Sequence, residues 1–505
     1  MKKNKQSKND INGTVYNIPE ILDDQKRIDN FLNLHKDKKV IVVQGLGFVG
    51  AVMSLVCANA IYEDYAVIGI DLPTSQSYWK ICSINEGTFP IISADKKVDE
   101  YYKNTIKKKN LYATYDSYAY SKADVIIVDI NLDVQKKDTH INSDKKIDYS
   151  VDLTGFQSAM KTIGKVCKDD VLILIETTVP PGTTLLAKDI IHTELKKRNL
   201  DSEKIKIGHS YERVMPGPNY IDSIQNFYRV YSGLNSYSAD HVERFLKTII
   251  KVDEYPLTRL KNTNSTEMSK VLENSFRAMN IAFIVEWSRY AEDAGVDLYE
   301  VVNAIRMRPT HKNIMLPGIG VGGYCLTKDP LLASWSKQNL IGSDTALNMS
   351  EEAVSTNDNM PIYAFNLFKR LVNKTNNSSK KILLLGVSYA PDVGDTRYTP
   401  VELFTRLLIE DGHHVTLNDP YVNFWDELNL KVSDDFNNIN DSLDAIVITT
   451  GHSVYKNNEE LIQLILHQDN MVIFDTVGIL NDKEIEVLSK KHIVRVLGRG
   501  DLGKK

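Results

Sequence analysis

The stretch that decides the fold is Lys39–Asp71, KVIVVQGLGFVGAVMSLVCANAIYEDYAVIGID. Its opening KVIVV is a β-branched run typical of a buried parallel strand, GLGFVG fits G-x-G-x-x-G, and AVIGID is a second strand ending on an acid. Together they make a complete β-α-β unit. In such a unit Gly45 allows the tight turn, Gly47 lets the backbone approach a pyrophosphate, and Gly50 lets the helix pack close to the strand. With Phe48 and Val49 these glycines are expected to face a dinucleotide cofactor, whose phosphates meet the helix N-terminus. Asp71, 21 residues after Gly50, is placed to accept hydrogen bonds from the adenine ribose. The apolar run Val40–Tyr62 is about as long as a bilayer span. Three glycines in six residues, with Gln44 and Asn59 inside the run, favour strand, turn and buried helix instead.

At 505 residues the chain has room for several domains of about 150 residues. Its 42% hydrophobic and 25% charged residues indicate a globular protein. A net charge of -5 gives no basic footprint for nucleic acid. Cys57, Cys82, Cys167 and Cys325 are scattered without a C-x-x-C pair, which argues against a disulfide framework or a metal site and suggests a reducing, cytoplasmic setting. The first 36 residues are rich in Lys, Asn and Asp and have no apolar core; they read as a solvated extension with one short helix.

The β-α rhythm continues through ADVIIVDI (Ala123–Ile130) and DDVLILIETTVPPGTT (Asp169–Thr184). Ligands of doubly wound sheets sit at the carboxyl ends of the strands, so Glu176 is expected at the rim of the site. Between about Tyr237 and Val372 helical spacing takes over. The longest helix is expected to start at Asn264, with Glu267 three residues on, and to stop at Gly295. Lys270 and Asn274 are one turn apart and share a face. The segment PGIGVGGYCLTKDP (Pro317–Pro330) then surrounds a cysteine with Gly318, Gly320, Gly322 and Gly323, which allow a backbone to press against a ligand. A second β-α-β unit begins at KKILLLGVSY and reaches a strand ending at Asp419. It lacks G-x-G-x-x-G, so it suits a different phosphorylated ligand. The hydrophilic NKTNNSSKK (Asn373–Lys381) connects into it.

The ordered set GLGFVG, ETTVPPGTT, YERVMPG, EMSKVLENSFRAMNIAF, GVGGYCLTKDP and GVSYAPDVGDTR resembles the nucleotide-sugar 6-dehydrogenases, from Lys38 to the C-terminal LGRG. The resemblance implies an α/β chain with two Rossmann-like doubly wound domains joined by a central helical region. The expected divisions are a polar extension (1–36), an NAD-binding domain (37–235), a helical dimerisation and catalytic region (236–372) and a UDP-sugar domain (373–505). It implies a homodimer or higher homo-oligomer, with neither nucleic acid nor membrane as partner. It also implies two successive oxidations of a sugar's primary alcohol, each passing a hydride to NAD. Cys325 would be the nucleophile that turns the intermediate aldehyde into a thiohemiacetal able to give up the second hydride. Lys270 would stabilise the oxyanion and the thiolate, with Asn274 near the reacting oxygen. Asp329 would order the lysine or a water, and Glu176 would activate the hydrolytic water. Lys328 and Arg397 match cofactor contacts; Glu212, Arg213, Gly320, Gly322 and Gly323 fall where the sugar is expected.

Three departures stand out. INLDV (Ile130–Val134) replaces a threonine-containing segment, Ala390 replaces a lysine that approaches the UDP phosphates, and FDTVG lacks a following arginine. Arg308, His311 or Lys312 is a candidate to compensate for the missing lysine. Arg213 in YERVMPG favours a UDP-N-acetylhexosamine, whereas Lys328 in CLTKDP favours UDP-glucose. A single-oxidation hydroxyacid dehydrogenase and a non-enzymatic NAD-binding protein remain as alternatives.

Overall fold

The computed structural model describes residues 5–21, 23–137, 147–214, 217–372, 379–436 and 442–503. It divides into two compact units: residues 1–134, 151–271 and 335–345, and residues 135–150, 272–334 and 346–505.

The first unit is built on an eight-stranded sheet. From edge to edge its strands are Thr258–Arg259, Val230–Gly233, Lys206–His209, Leu172–Ile175, Val125–Val128, Lys39–Gln44, Tyr65–Ile70 and Leu111–Thr114. Only the pair Lys206–His209 with Val230–Gly233 is antiparallel. Strand order reverses between Lys39–Gln44 and Val125–Val128, the point at which a doubly wound sheet opens a ligand crevice. Ile41, Val42, Val43, Ile126, Ile127 and Ile173 are fully buried, as both faces of a parallel sheet demand. The helix Phe48–Ala58 is buried from Gly50 onward, so the long apolar run is strand, turn and core helix. Among the described residues no helix is long and apolar enough to cross a membrane.

The leader departs from the expected solvated extension. Its helix forms at Gln25–Asn33 and buries Ile28 and Phe31, while Gln6–Lys8 and Val15–Asn17 pair as an antiparallel hairpin. Polar composition misleads here because Ser7 and Asn9 are buried through hydrogen bonds.

The second unit carries a parallel sheet in the order His414–Asn418, Lys381–Leu385, Ala445–Ile448, Val472–Asp475, Ile493–Val496. Helices including Leu298–Arg306, Asn348–Asp358 and Met360–Val372 belong to the same unit. The fold is thus the expected pair of doubly wound α/β sheets with a helical region. Asn373–Ser378 of the expected connection lies outside the described residues.

Candidate active site

The glycine turn has the geometry its spacing predicts. Gly45 has φ +98°, and a Cβ there would lie 2.3 Å from the Asp129 carbonyl oxygen; one on Gly50 would lie 1.9 Å from the Gly45 carbonyl oxygen. Nothing lies within 4 Å of a Cβ built on Gly47, which leaves room for a pyrophosphate beside the first turn of Phe48–Ala58. Asp71 accepts hydrogen bonds from Leu72 N (2.7 Å) and Leu46 N (3.1 Å). Burial pushes its carboxyl up, opposed by the Lys80 ammonium and those two N–H groups. These residues fit a bound NAD: an open glycine turn for the phosphates and a fixed acid at the end of the next strand.

A buried polar cluster lies at the carboxyl ends of the central strands. Glu176 is not at an open rim; it is fully buried and ion-paired with Arg229, whose Nε also donates to Ser210 Oγ at 3.2 Å. Burial lowers the Arg229 guanidinium to about 10, with Asp129 opposing. Burial also pushes the Asp129 carboxyl well up, reinforced by the charge of Glu212 and opposed by Arg229. His209 donates to or accepts from Thr266 Oγ1 at 2.8 Å, and burial draws its imidazole down to about 3. Asp129, His209 and Arg229 were not legible as site residues, because a strand-end residue acquires its partners only when distant strands pair.

Lys270 is buried. Its Nζ donates to the Glu212 carbonyl at 3.0 Å and lies 3.7 Å from the Glu212 carboxylate. Arg213 stacks over Tyr211 and Phe227, with its guanidinium carbon 5.5 and 5.3 Å from the ring centres. Met215 and Pro216 of the same motif lie outside the described residues. The long helix runs Thr263–Ala294, and the Asn262 side chain accepts from Ser265 N at 2.9 Å, which moves the cap from the expected Asn264. Glu267 makes no local capping box. It accepts from Gly182 N (2.9 Å), Thr184 N (2.7 Å) and Thr184 Oγ1 (2.6 Å), tying the VPPGTT turn to this helix.

In the second unit, Cys325 is exposed and sits in the first turn of the helix Tyr324–Asn339. Asp329, fully buried, accepts from Asn274 Nδ2 at 2.6 Å and from Lys328 Nζ at 3.0 Å. Lys328 also lies 4.5 Å from the centre of the Tyr324 ring. Arg397 grips Asp395, with Nη2 to Oδ2 at 2.6 Å, and its carbonyl receives Gly323 N at 3.2 Å. Three glycines of the loop press against protein on the side where a Cβ would project. A Cβ on Gly322 would be 2.5 Å from Tyr389 Cβ, one on Gly323 2.8 Å from the Tyr389 ring, and one on Gly320 3.0 Å from Pro400 Cβ. The glycines let the cysteine loop pass directly beneath GVSYAPDVGDTR.

Models of three domains match the chain in order: the UDP-glucose/GDP-mannose dehydrogenase family NAD binding domain over residues 38–250, its central domain over 264–359 and its UDP binding domain over 383–482. The UDP-N-acetyl-D-mannosamine dehydrogenase of Methanococcus maripaludis is 30% identical over 473 residues, covering 92% of this chain and 98% of its own. The solved UDP-D-ManNAc dehydrogenase of Pyrococcus horikoshii superposes with a TM-score of 0.75 at 28% identity, over 92% of this chain and all of its own. An NDP-N-acetyl-D-galactosaminuronic acid dehydrogenase from Methanosarcina mazei gives 0.74 at 25% identity, over 95% and 99%.

Proposed function

Since the chain belongs to the UDP-glucose/GDP-mannose dehydrogenase family and is an NAD-dependent nucleotide-sugar dehydrogenase, we propose that it oxidises carbon six of a UDP-N-acetylhexosamine twice, to the uronic acid, through Cys325. The observation that carries the thiol's role is exposure: Cys325 is exposed, whereas Cys57 and Cys167 are buried and Cys82 half-buried. Burial raises the Cys57 thiol and pushes that of Cys167 up to about 11. NAD supplies the hydride acceptor. The Cys325 thiolate adds to the aldehyde carbon, and the Lys270 ammonium and Asn274 amide stabilise the oxygen of the resulting thiohemiacetal. After the second oxidation the Cys325 thioester is opened by a water assigned to Glu176, with Asp329 ordering Asn274 and Lys328. Glu212 and Arg213 are assigned to the sugar, as are Gly320, Gly322 and Gly323; Gly45, Gly47, Phe48, Val49, Gly50, Asp71, Lys328 and Arg397 are assigned to NAD. The acetylated sugar is favoured by the names of the relatives over nearly full length and by Arg213. The exposed apolar stripe Leu272, Phe276, Phe283, Trp287 and Tyr290 supports a homodimer through the long helix.

The test offers purified protein NAD with UDP-N-acetylmannosamine, UDP-N-acetylglucosamine, UDP-glucose, UDP-galactose or GDP-mannose. NADH and sugar acid are followed to completion. Two NADH per acid from an acetylated sugar is expected, with Cys325→Ser nearly inactive and Lys270→Ala slower by about 100-fold or more. One NADH per product, or normal acid production by Cys325→Ser, defeats the mechanism. Turnover confined to UDP-glucose defeats only the choice of sugar.

A further inference from the structure

The leader, which lies outside the matched family domains, braces Asp71 from two sides. On one side the Ser7 hydroxyl donates to the Ser75 carbonyl at 2.8 Å and accepts from Trp79 N at 3.0 Å. Trp79 is in the first turn of the helix Tyr78–Asn85, whose own Ser77 makes no side-chain cap. The Ser77 hydroxyl is engaged with the Leu72 carbonyl at 2.5 Å. Ser7 therefore performs the N-cap's task from about 70 residues away, closing the Leu72–Ser77 turn that directly follows Asp71. Asn9 repeats the brace one turn on, donating to Ser83 Oγ at 3.0 Å. On the other side Asp24 accepts from Thr114 Oγ1 and Tyr112 Oη, both at 2.7 Å, and the Thr114 carbonyl receives Asp71 N at 3.2 Å. Phe31 stacks on Tyr112, 5.6 Å between ring centres.

We propose that the leader is a working part of the dinucleotide site, with Ser7 and Asp24 as positioning residues that preset Asp71 for the adenosine half of NAD. An acid whose backbone is fixed on both sides loses less freedom when it takes the ribose hydroxyls, so binding is tighter for the same contacts. The inference rests on the assignment of Asp71 to the ribose.

The test uses the full chain and measures dissociation constants for NADH and 5′-AMP, the latter carrying the adenosine half alone, and for UDP as a control ligand. Ser7→Ala is expected to weaken NADH and AMP about fivefold, the scale of one lost cap. UDP binding stays unchanged, and Ser7→Thr restores most of the loss. Asn9→Ala gives a smaller change of the same pattern. Asp71→Ala also weakens NADH, and Ser7→Ala adds little to it, since the brace then has nothing to position. If Asp71→Ala lowers affinity but neither leader variant does, the brace is refuted. If Asp71→Ala itself leaves NADH affinity intact, the ribose assignment fails and the inference with it. A loss spread equally over NADH, AMP and UDP marks a general weakening of the fold and overturns the proposal.

Discussion

The two doubly wound sheets repeat one local design and put it to different ends. Each first strand ends on a left-handed glycine, Gly45 at φ +98° and Gly386 at φ +94°. Each glycine N–H donates at 2.8 Å to the last residue of the neighbouring strand, Ile70 or Asn418, and the next residue is an aspartate. Asp71 accepts from the N–H after Gly45, and Asp419 from the N–H after Gly386. Beyond that point they diverge. GLGFVG enters its helix at Phe48, so the helix N-terminus stands at the turn, whereas the second unit inserts Val387–Thr399 before its helix Pro400–Glu410. Asp71 remains partly exposed. Asp419 is fully buried and spent on His452 Nε2 (3.0 Å), Val387 N (2.8 Å) and Tyr421 N (2.9 Å). Burial pushes the Asp419 carboxyl up, but His452 and those backbone donors outweigh it and hold the group below its usual value. A dinucleotide site therefore needs a strand-end acid with lone pairs to spare, and only the first copy has one.

The largest effect expected from this contrast concerns the cofactor. A phosphate on the adenine ribose would sit beside Asp71, and two unit charges about 4 Å apart at an effective dielectric of about 20 repel by roughly 4 kcal/mol. NAD should be preferred over NADP by about a thousandfold in kcat/KM. Comparable efficiencies would mean that Asp71 does not face the ribose.

A smaller effect separates the two aspartates by what each does for stability. Asp419→Ala strands the N–H groups of Val387, Ser388 and Tyr421, and at about 1–3 kcal/mol per unsatisfied group the second unit should lose about 3 kcal/mol or more. Asp71→Ala exposes its donors to solvent at the open turn and should cost about 1 kcal/mol. Urea unfolding of both variants checks this; equal losses would erase the distinction.

What sequence reveals of this contrast follows from how local each feature is. The glycine turn and Asp71 are legible because their spacing encodes one β-α-β unit. The burial of Asp419 is not, since His452 arrives 33 positions on, from the loop after the strand Ala445–Ile448. Glu176 and Arg229 are hidden for the same reason: three strands must pair side by side before the ion pair exists. The cysteine loop shows an intermediate case. Its glycines announce close approach, but only the fold identifies Tyr389 and Pro400 as what is approached. Asn264 and Asn262 both offer an amide at the right place, and the choice falls to Asn262 while Glu267 turns to the neighbouring VPPGTT turn.

Glu267 supplies the smallest and most specific test, because it makes the two sheets differ in how a helix is capped. Pro400–Glu410 is capped locally, Thr399 accepting from Val401 N. Thr183–Lys197 takes its cap from Glu267, far along the chain, and burial raises that carboxyl to about 7, opposed by the hydrogen bonds from Thr184 and Gly182. Unfolded, a glutamate titrates near about 4.3. Between that value and about 7 the folded chain holds one more proton, so this group makes stability fall as pH rises, by at most about 1.4 kcal/mol per pH unit, and the fall ends above pH 7. His209 works in the opposite sense: with its imidazole drawn down to about 3, its contribution is complete above the unfolded value of about 6.5 and is lost as pH falls. The two slopes oppose each other in the wild-type chain, so only a difference isolates one of them. Glu267→Gln keeps an oxygen for Thr184 N but cannot titrate. Urea unfolding of both proteins at pH 5, 6, 7 and 8 should give a stability difference that changes steadily from pH 5 to 7 and is constant from 7 to 8. A difference independent of pH would mean that the long-range cap stays ionised throughout, and that the two helices are capped alike in all but sequence distance.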